Sequence, residues 1–253
     1  LALSNVTTGL TVTSNAIVTG NLKLLGSVYH NDDIIMNTVI GSTWTQLGGD
    51  LDGEAGGPPG DRSGTSVSLS TDGTRVAIGA TLNSDSGTYA GHVRVYELSG
   101  GVWTQLGGDI DGEAAGDYSG TSVSLSTDGT RVAIGAIYND GDRGHTRVYE
   151  LSGGAWTQLG GDIDGEAAGD YSGRSVSLSA DGTRVAIGTT GNDGGKGHTR
   201  VYEWSGGAWT QMGDDIDGEA AGDLSGHSVS LSADGTRVAI GALYNDGNGS
   251  ESG

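Results

Sequence analysis

Ser122-Val-Ser-Leu-Ser-Thr-Asp-Gly-Thr-Arg-Val-Ala-Ile-Gly-Ala136 is the stretch on which the fold turns. Two short runs rich in β-branched residues flank Thr127-Asp128-Gly129. Runs of this length bounded by Gly, Asp and Ser read as strands. Asp-Gly supplies the positive-φ geometry of a tight hairpin. The stretch therefore predicts an antiparallel pair, Ser122–Ser126 with Thr130–Ala136. Two further runs follow, His145–Leu151 and Ala155–Leu159, joined by the turn Ser152-Gly153-Gly154. Together they make a four-stranded antiparallel unit. The glycine-rich stretch Gly160–Gly173 is then expected to carry the chain to the next sheet.

The unit recurs. Trp-Thr-Gln begins at Trp44, Trp103, Trp156 and Trp209, at spacings of 59, 53 and 53 residues. Units 103–155 and 156–208 are identical at 45 of 53 positions. The longer first unit carries extra residues around Pro58–Pro59 and Ser84–Ala90. One small sheet cannot bury both faces alone, so stacked copies are required. The expected fold is all-β, a propeller-type array of four-stranded blades. The repeated Trp is the expected anchor between blades, and small residues such as Ala133 and Gly135 would let blades approach closely.

The repeats also resemble a known family. Asp164-Gly-Glu-Ala-Ala-Gly-Asp170, Ser172-Gly173, Ser175–Ser179 and Val185-Ala-Ile-Gly188 are similar to the FG-GAP repeat of integrin-α-like propellers and bacterial surface proteins. The resemblance covers residues 43–253 and implies a propeller blade per repeat. Ser replaces the Phe of "FG" at Ser63, Ser119, Ser172 and Ser225, and the proline of "GAP" is missing. The Ser-x-Asp-Gly-x-Arg turn also resembles the hairpin of WD40-like periplasmic propellers.

The repeats give about three and a half blades, with the last unit ending after two strands. Residues 1–42 form a separate β-prone segment, read either as a decayed blade or as a fibre-like or donor strand. A strand lent to a neighbour would pair open edges and yield a homo-oligomer or filament.

The net charge is −20, and residues 1–42 hold only −1 of it (one Lys, two Asp). Such a surface repels phosphate backbones, so nucleic acid is not an expected partner. No apolar run is long enough for a membrane span, and the chain has no cysteine.

The acidic connectors are the candidate metal sites. Asp109, Asp111, Glu113 and Asp117 alternate along one loop. Asp162, Asp164, Glu166 and Asp170 repeat the pattern, as do Asp215, Asp217, Glu219 and Asp223. Ca²⁺ takes hard oxygen ligands at such alternating positions. The other reading is a solvated loop whose Asp residues cap turns. In the first copy Asp50, Asp52 and Glu54 align, and Asp61 is displaced. His92, His145 and His198 open successive third strands and are read as bonding a loop. Arg75, Arg131, Arg184 and Arg237 are read as a structural ladder paired with acidic neighbours. Asn5 and Asn248 head glycosylation triplets.

No nucleophile elbow, zinc helix or phosphate loop is present. Near-identical units offer equivalent surfaces, which suit assembly or multivalent binding better than a unique active site. The expected function is an extracellular structural protein, a repeat-built fibre subunit at a cell or virion surface. The alternative is an adhesion propeller for a glycan or protein.

Overall fold

The computed structural model describes residues 28–30, 33–36, 45–54, 60–250 and 252–253. The chain divides into Leu1–Gln46 and Leu47–Gly253. In the first unit, Val28–His30 pairs antiparallel with Asp33–Met36. The expectations for Asn5, Trp44 and Pro58–Pro59 lie outside the described residues.

The second unit is a succession of four-stranded antiparallel sheets, as expected of a propeller-type array. Blade 1 contains Ser63–Leu69, Arg75–Ala80, His92–Ser99 and Val102–Gln105, hydrogen-bonded in that order. Blade 2 contains Ser122–Leu125, Arg131–Ala136, His145–Ser152 and Ala155–Gln158. Blade 3 contains Ser172–Leu178, Arg184–Thr189, His198–Ser205 and Ala208–Gln211. Ser225–Leu231 and Val238–Ala242 form a two-stranded sheet.

The Asp-Gly turn is built as its residues require. Asp128 Oδ1 accepts the Ser126 hydroxyl at 2.7 Å and the Thr130 backbone N–H at 3.0 Å. Gly129 takes φ +64° and donates its N–H to the Ser126 carbonyl. The same bonds recur around Asp72, Asp181 and Asp234.

The connector differs from expectation. It does not simply pass to the next sheet. Ile163–Asp164 returns to pair with His145–Thr146, and Ile110–Asp111 and Ile216–Asp217 do the same in their blades. The reason is burial: Ile110 and Ile163 are core residues. The fourth strand covers only the far half of the third, and this short return covers the near half.

Blades pack through alternating faces. Ala77, Val93, Val95 and Ile110 of blade 1 meet Leu125, Val132, Ile134 and Tyr149 of blade 2. Ala133, Val148 and Ile163 of blade 2 meet Val176, Leu178, Val185 and Ile187 of blade 3. Each Trp reaches back to the residue that follows the previous Trp-Thr-Gln. Trp103, Trp156 and Trp209 donate Nε1–H to the carbonyls of Leu47, Leu106 and Leu159 at 2.8, 2.7 and 2.9 Å.

The first strands lie against each other. Ser66, Ser122 and Ser175 donate their hydroxyls to the carbonyls of Gly120, Gly173 and Gly226 in the next blade. Ser68, Ser124 and Ser177 accept the next blade's Leu125, Leu178 and Leu231 N–H. A Cβ added to Gly135 would lie 2.1 Å from the Gly173 carbonyl oxygen. Only glycine permits that approach.

Candidate functional site

The arginine ladder is present at Arg75, Arg131 and Arg184 and does more than pair charges, whereas Arg237 makes no ion pair among the described residues. Arg131 donates from Nε and Nη2 to Glu150, its cross-strand neighbour, at 2.9 and 2.8 Å. Its Nη1 donates to the Gly182 carbonyl in the turn of blade 3. Arg75 and Arg184 repeat this with Glu97 and Glu203, and with the turns at Gly129 and Gly235. The ladder ties each blade to its successor.

The acidic loop residues separate in space. Asp117 folds onto its own loop, accepting the Ala114 N–H at 2.9 Å and the Asn139 side-chain amide. Asp170 accepts the Glu166 and Ala167 N–H groups, and Asp223 accepts that of Ala220. Asp61, displaced in sequence, takes the same role by accepting the Glu54 N–H at 3.0 Å. All four are buried. Asp111, Asp164 and Asp217 sit in the short return strands, opposite His92, His145 and His198. Burial, then Asp109, pushes the Asp111 carboxyl up. Glu219 accepts the Asn245 amide. The carboxylates of a single loop are thus shared among separate partners. The glycosylation candidate Asn248 lies in an exposed turn.

What the fold does bring together is a set that crosses loops. Glu113, which precedes blade 2, meets His145 and Asp162 of that blade. Glu166, His198 and Asp215 form the corresponding group in blade 3. In blade 1 the group has four members: Glu54, Asp85, His92 and Asp109. The ligand atoms of each group lie within 4.8 Å of one another. Sequence reasoning missed these groups because their members come from three segments. The signal was a fixed spacing: His to Asp is 17 residues in every copy (92 to 109, 145 to 162, 198 to 215).

The histidines do not bond a loop as expected. His92, His145 and His198 are fully buried, and Nδ1 of His92 and of His145 has no hydrogen-bond partner. Nδ1 lies 3.7–3.9 Å from the nearest carboxylate oxygens, too far for a hydrogen bond. Burial, then the adjacent Arg147 or Arg200, holds the His145 and His198 imidazoles below their usual range.

An arginine two residues on faces each group. Arg94 Nη1 and Arg147 Nη1 approach Glu54 and Glu113 at 3.3 Å. Each also donates Nη2–H to a backbone carbonyl, of Asp52 and Asp111 respectively. Arg200 instead bonds both carboxylates of its group, Glu166 at 2.5 Å and Asp215 through both oxygens at 2.8 and 2.7 Å. Those bonds hold Asp215 down at about 2.

No known family profile matches the chain, and no curated protein matches it. Solved structures do. A protein from Lactobacillus plantarum matches at 16% identity and TM-score 0.50, over 72% of this chain and 49% of its own. TolB from Acinetobacter baumannii matches at 16% identity and TM-score 0.43, over 69% and 36%. A candidate 6-phosphogluconolactonase from Bacteroides fragilis matches at 11% identity and TM-score 0.46, over 69% and 40%. The chain thus spans less than half the length of each. The first of these likenesses bears on fold alone.

Proposed function

We propose that this chain is a structural protein, a repeat-built subunit that acts by associating through its blade faces and strand edges and not by catalysis. The observation that carries the reading is the complementarity of two exposed regions. Leu69 of blade 1 is 60% exposed, whereas its equivalents Leu125 and Leu178 are 7% exposed between blades, and Val67 is 65% exposed where Val176 is 8% exposed. At the other end, Val201, Met212, Ile216, Leu231 and Val238 line an open cleft of about 380 Å³. In blade 3 the corresponding space is closed by Tyr202 and Trp209.

Strand content is complementary too. Ser225–Ala242 supplies the first and second strands of a sheet. Leu47 ends a Trp-Thr-Gln-Leu fourth-strand motif, and its carbonyl accepts Trp103 as Leu106 accepts Trp156. Pairing between these regions of two copies would bring the first, second and fourth strands of one blade together. An exposed strand edge beside an apolar cleft is a template for such pairing. A contact of this kind repeats without closing, which makes filaments. The acidic, glycine-rich surface suits a fibre at a cell or virion surface. We also infer that the repeats are diverged FG-GAP units, since the motif stretches Ser175–Ser179 and Val185–Gly188 fall on the first and second strands of a blade.

Sedimentation velocity with electron microscopy tests the reading. The chain is expected to form concentration-dependent oligomers, and Leu69→Asp is expected to abolish them. A wild-type chain that stays monomeric at every concentration rejects assembly.

A second reading, a module for a glycan or protein ligand, is favoured by one feature. Tyr89, Tyr118, Tyr138 and Tyr171 form a row with centroids 4.9–6.0 Å apart, and Tyr138 is 39% exposed. Aromatic rings with polar tips suit recognition surfaces. A glycan array without hits for the wild-type chain weakens it.

A further inference from the structure

We propose that the Glu54–Asp85–His92–Asp109 group of blade 1 binds one divalent transition metal ion of the zinc class. Three features carry the assignment: the first is shared at Nδ1 with His145 of blade 2, and the other two set blade 1 apart.

The first is an unpartnered buried donor. The His92 side chain is fully buried, and neither ring nitrogen has a hydrogen-bond partner. A buried polar atom left unsatisfied costs about 1–3 kcal/mol, so such atoms ask for an explanation. Nδ1 faces Glu54 Oε2 and Asp109 Oδ2, both at 3.9 Å. A tetrahedral ion with bonds of about 2.1 Å holds its ligands roughly 3.4 Å apart. The observed gap is too wide for a hydrogen bond and close to that of two ligands sharing an ion.

The second is the ligand count. Asp85 enters from the Ser84–Ala90 segment, where blade 1 is longer than its neighbours. It is braced by Asn83, which bonds its N–H at 3.0 Å and its carboxylate at 3.2 Å. In blades 2 and 3 a four-residue turn, Asn139–Asp142 or Asn192–Gly195, replaces that segment and contributes no carboxylate or imidazole to the group. Only blade 1 has four ligands among the described residues.

The third is charge. Glu54, Asp85 and Asp109 carry three negative charges, and Arg94 offsets one. The two left match a divalent ion. Glu113 with Asp162, and Glu166 with Asp215, carry two, and Arg147 or Arg200 leaves one. In blade 3 the guanidinium already bonds both carboxylates, so that group is filled from within. An imidazole nitrogen among carboxylates selects a zinc-class ion over Ca²⁺, which takes oxygen ligands.

Calorimetric titration of the full chain with Zn²⁺, and separately with Ca²⁺, tests the site. One Zn²⁺ per chain is expected, with Ca²⁺ bound far more weakly. Asp85→Asn should weaken Zn²⁺ binding by at least about 100-fold, the upper end of what losing an outer-shell group costs. His92→Gln should do the same, and His145→Gln and His198→Gln should leave the affinity within about twofold. Asp85 is exposed and outside the sheet, so its variant reports on the site even where His92→Gln fails to fold. No Zn²⁺ binding by the wild-type chain, or an unchanged isotherm in Asp85→Asn, overturns the proposal. So does an equal loss in His145→Gln or His198→Gln.

Discussion

Two of the contacts between successive blades are made by different means. Along the first strands they touch backbone to backbone: Gly79, Gly135 and Gly188 each lie against a carbonyl of the next blade's Gly120, Gly173 and Gly226. At the start of the third strands they touch through charge, with Glu54 and Glu113 each reaching a His and an Arg and Glu166 reaching Arg200. The backbone contact allows one residue type, and the three copies are the same there. The charged contact tolerates rearrangement, and there the copies differ: Asp85 joins the first, and Arg200 closes the third. Constraint by shape preserves the repeat. Constraint by charge leaves room for function.

The largest expected effect breaks the backbone side of that contrast. Gly135→Ala places a methyl 2.1 Å from a backbone oxygen that cannot swing aside. It should destabilise by about 3 kcal/mol or more, the upper end of overpacking. Gly161→Ala, with nothing within 4 Å of its Cβ, should change stability by less than about 0.5 kcal/mol. Urea unfolding of both variants gives the comparison directly. Equal effects would mean the close approach is relieved by a blade shift.

Two substitutions sharpen the middle of the range. Trp156→Phe keeps the packing against the preceding blade and deletes the bond to Leu106, for a cost of about 1 kcal/mol. Arg131→Leu removes the Glu150 pair and the bond to Gly182, and should also cost about 1 kcal/mol, since the pair is partly exposed. Denaturant midpoints check both.

The smallest effect is on pH dependence. Ser70 and Ser232 hydroxyls, then the Thr74 and Thr236 N–H groups, hold Asp72 and Asp234 down at about 2 from 3.8. Asp181 is lowered for the same reason. Folded values below the unfolded ones mean that this stabilisation is complete above about pH 4. It is lost as pH falls toward 2. Replacing Asp72, Asp181 and Asp234 by Asn should flatten the acid limb of a stability–pH curve between those values. An unchanged limb would place acid sensitivity elsewhere.

Local features were legible in the sequence because local residues build them. Asp-Gly with a preceding Ser and a following Thr encodes its own turn, and Val-Ala-Ile-Gly encodes one strand with a small outer face. The Trp anchors and Arg ladder were legible from their period. The return strand Ile163–Asp164 was not, since two residues carry no pattern and only burial of Ile163 reveals the pairing. The His groups were not, because Glu113 belongs to the connector before the blade that supplies His145 and Asp162. Alternating carboxylates drew attention to one loop, whereas the fold shares each loop between two blades.

The central claim is that the exposed face of blade 1 and the Ser225–Ala242 sheet of another copy meet as interior blades do. Thr71 donates its N–H to Thr127, Thr127 to Ala180 and Ala180 to Ala233, at 2.8–3.0 Å, in one chain of first-strand contacts. Head-to-tail assembly would continue it from Ala233 of one copy to Thr71 of the next. The chain has no cysteine, so Thr71→Cys with Ala233→Cys is a clean pair, and Thr127→Cys with Ala180→Cys is its internal control. Oxidation of the first pair should give a ladder of disulfide-linked oligomers on non-reducing gels. An oxidised monomer, or no disulfide while the control pair forms, would contradict it.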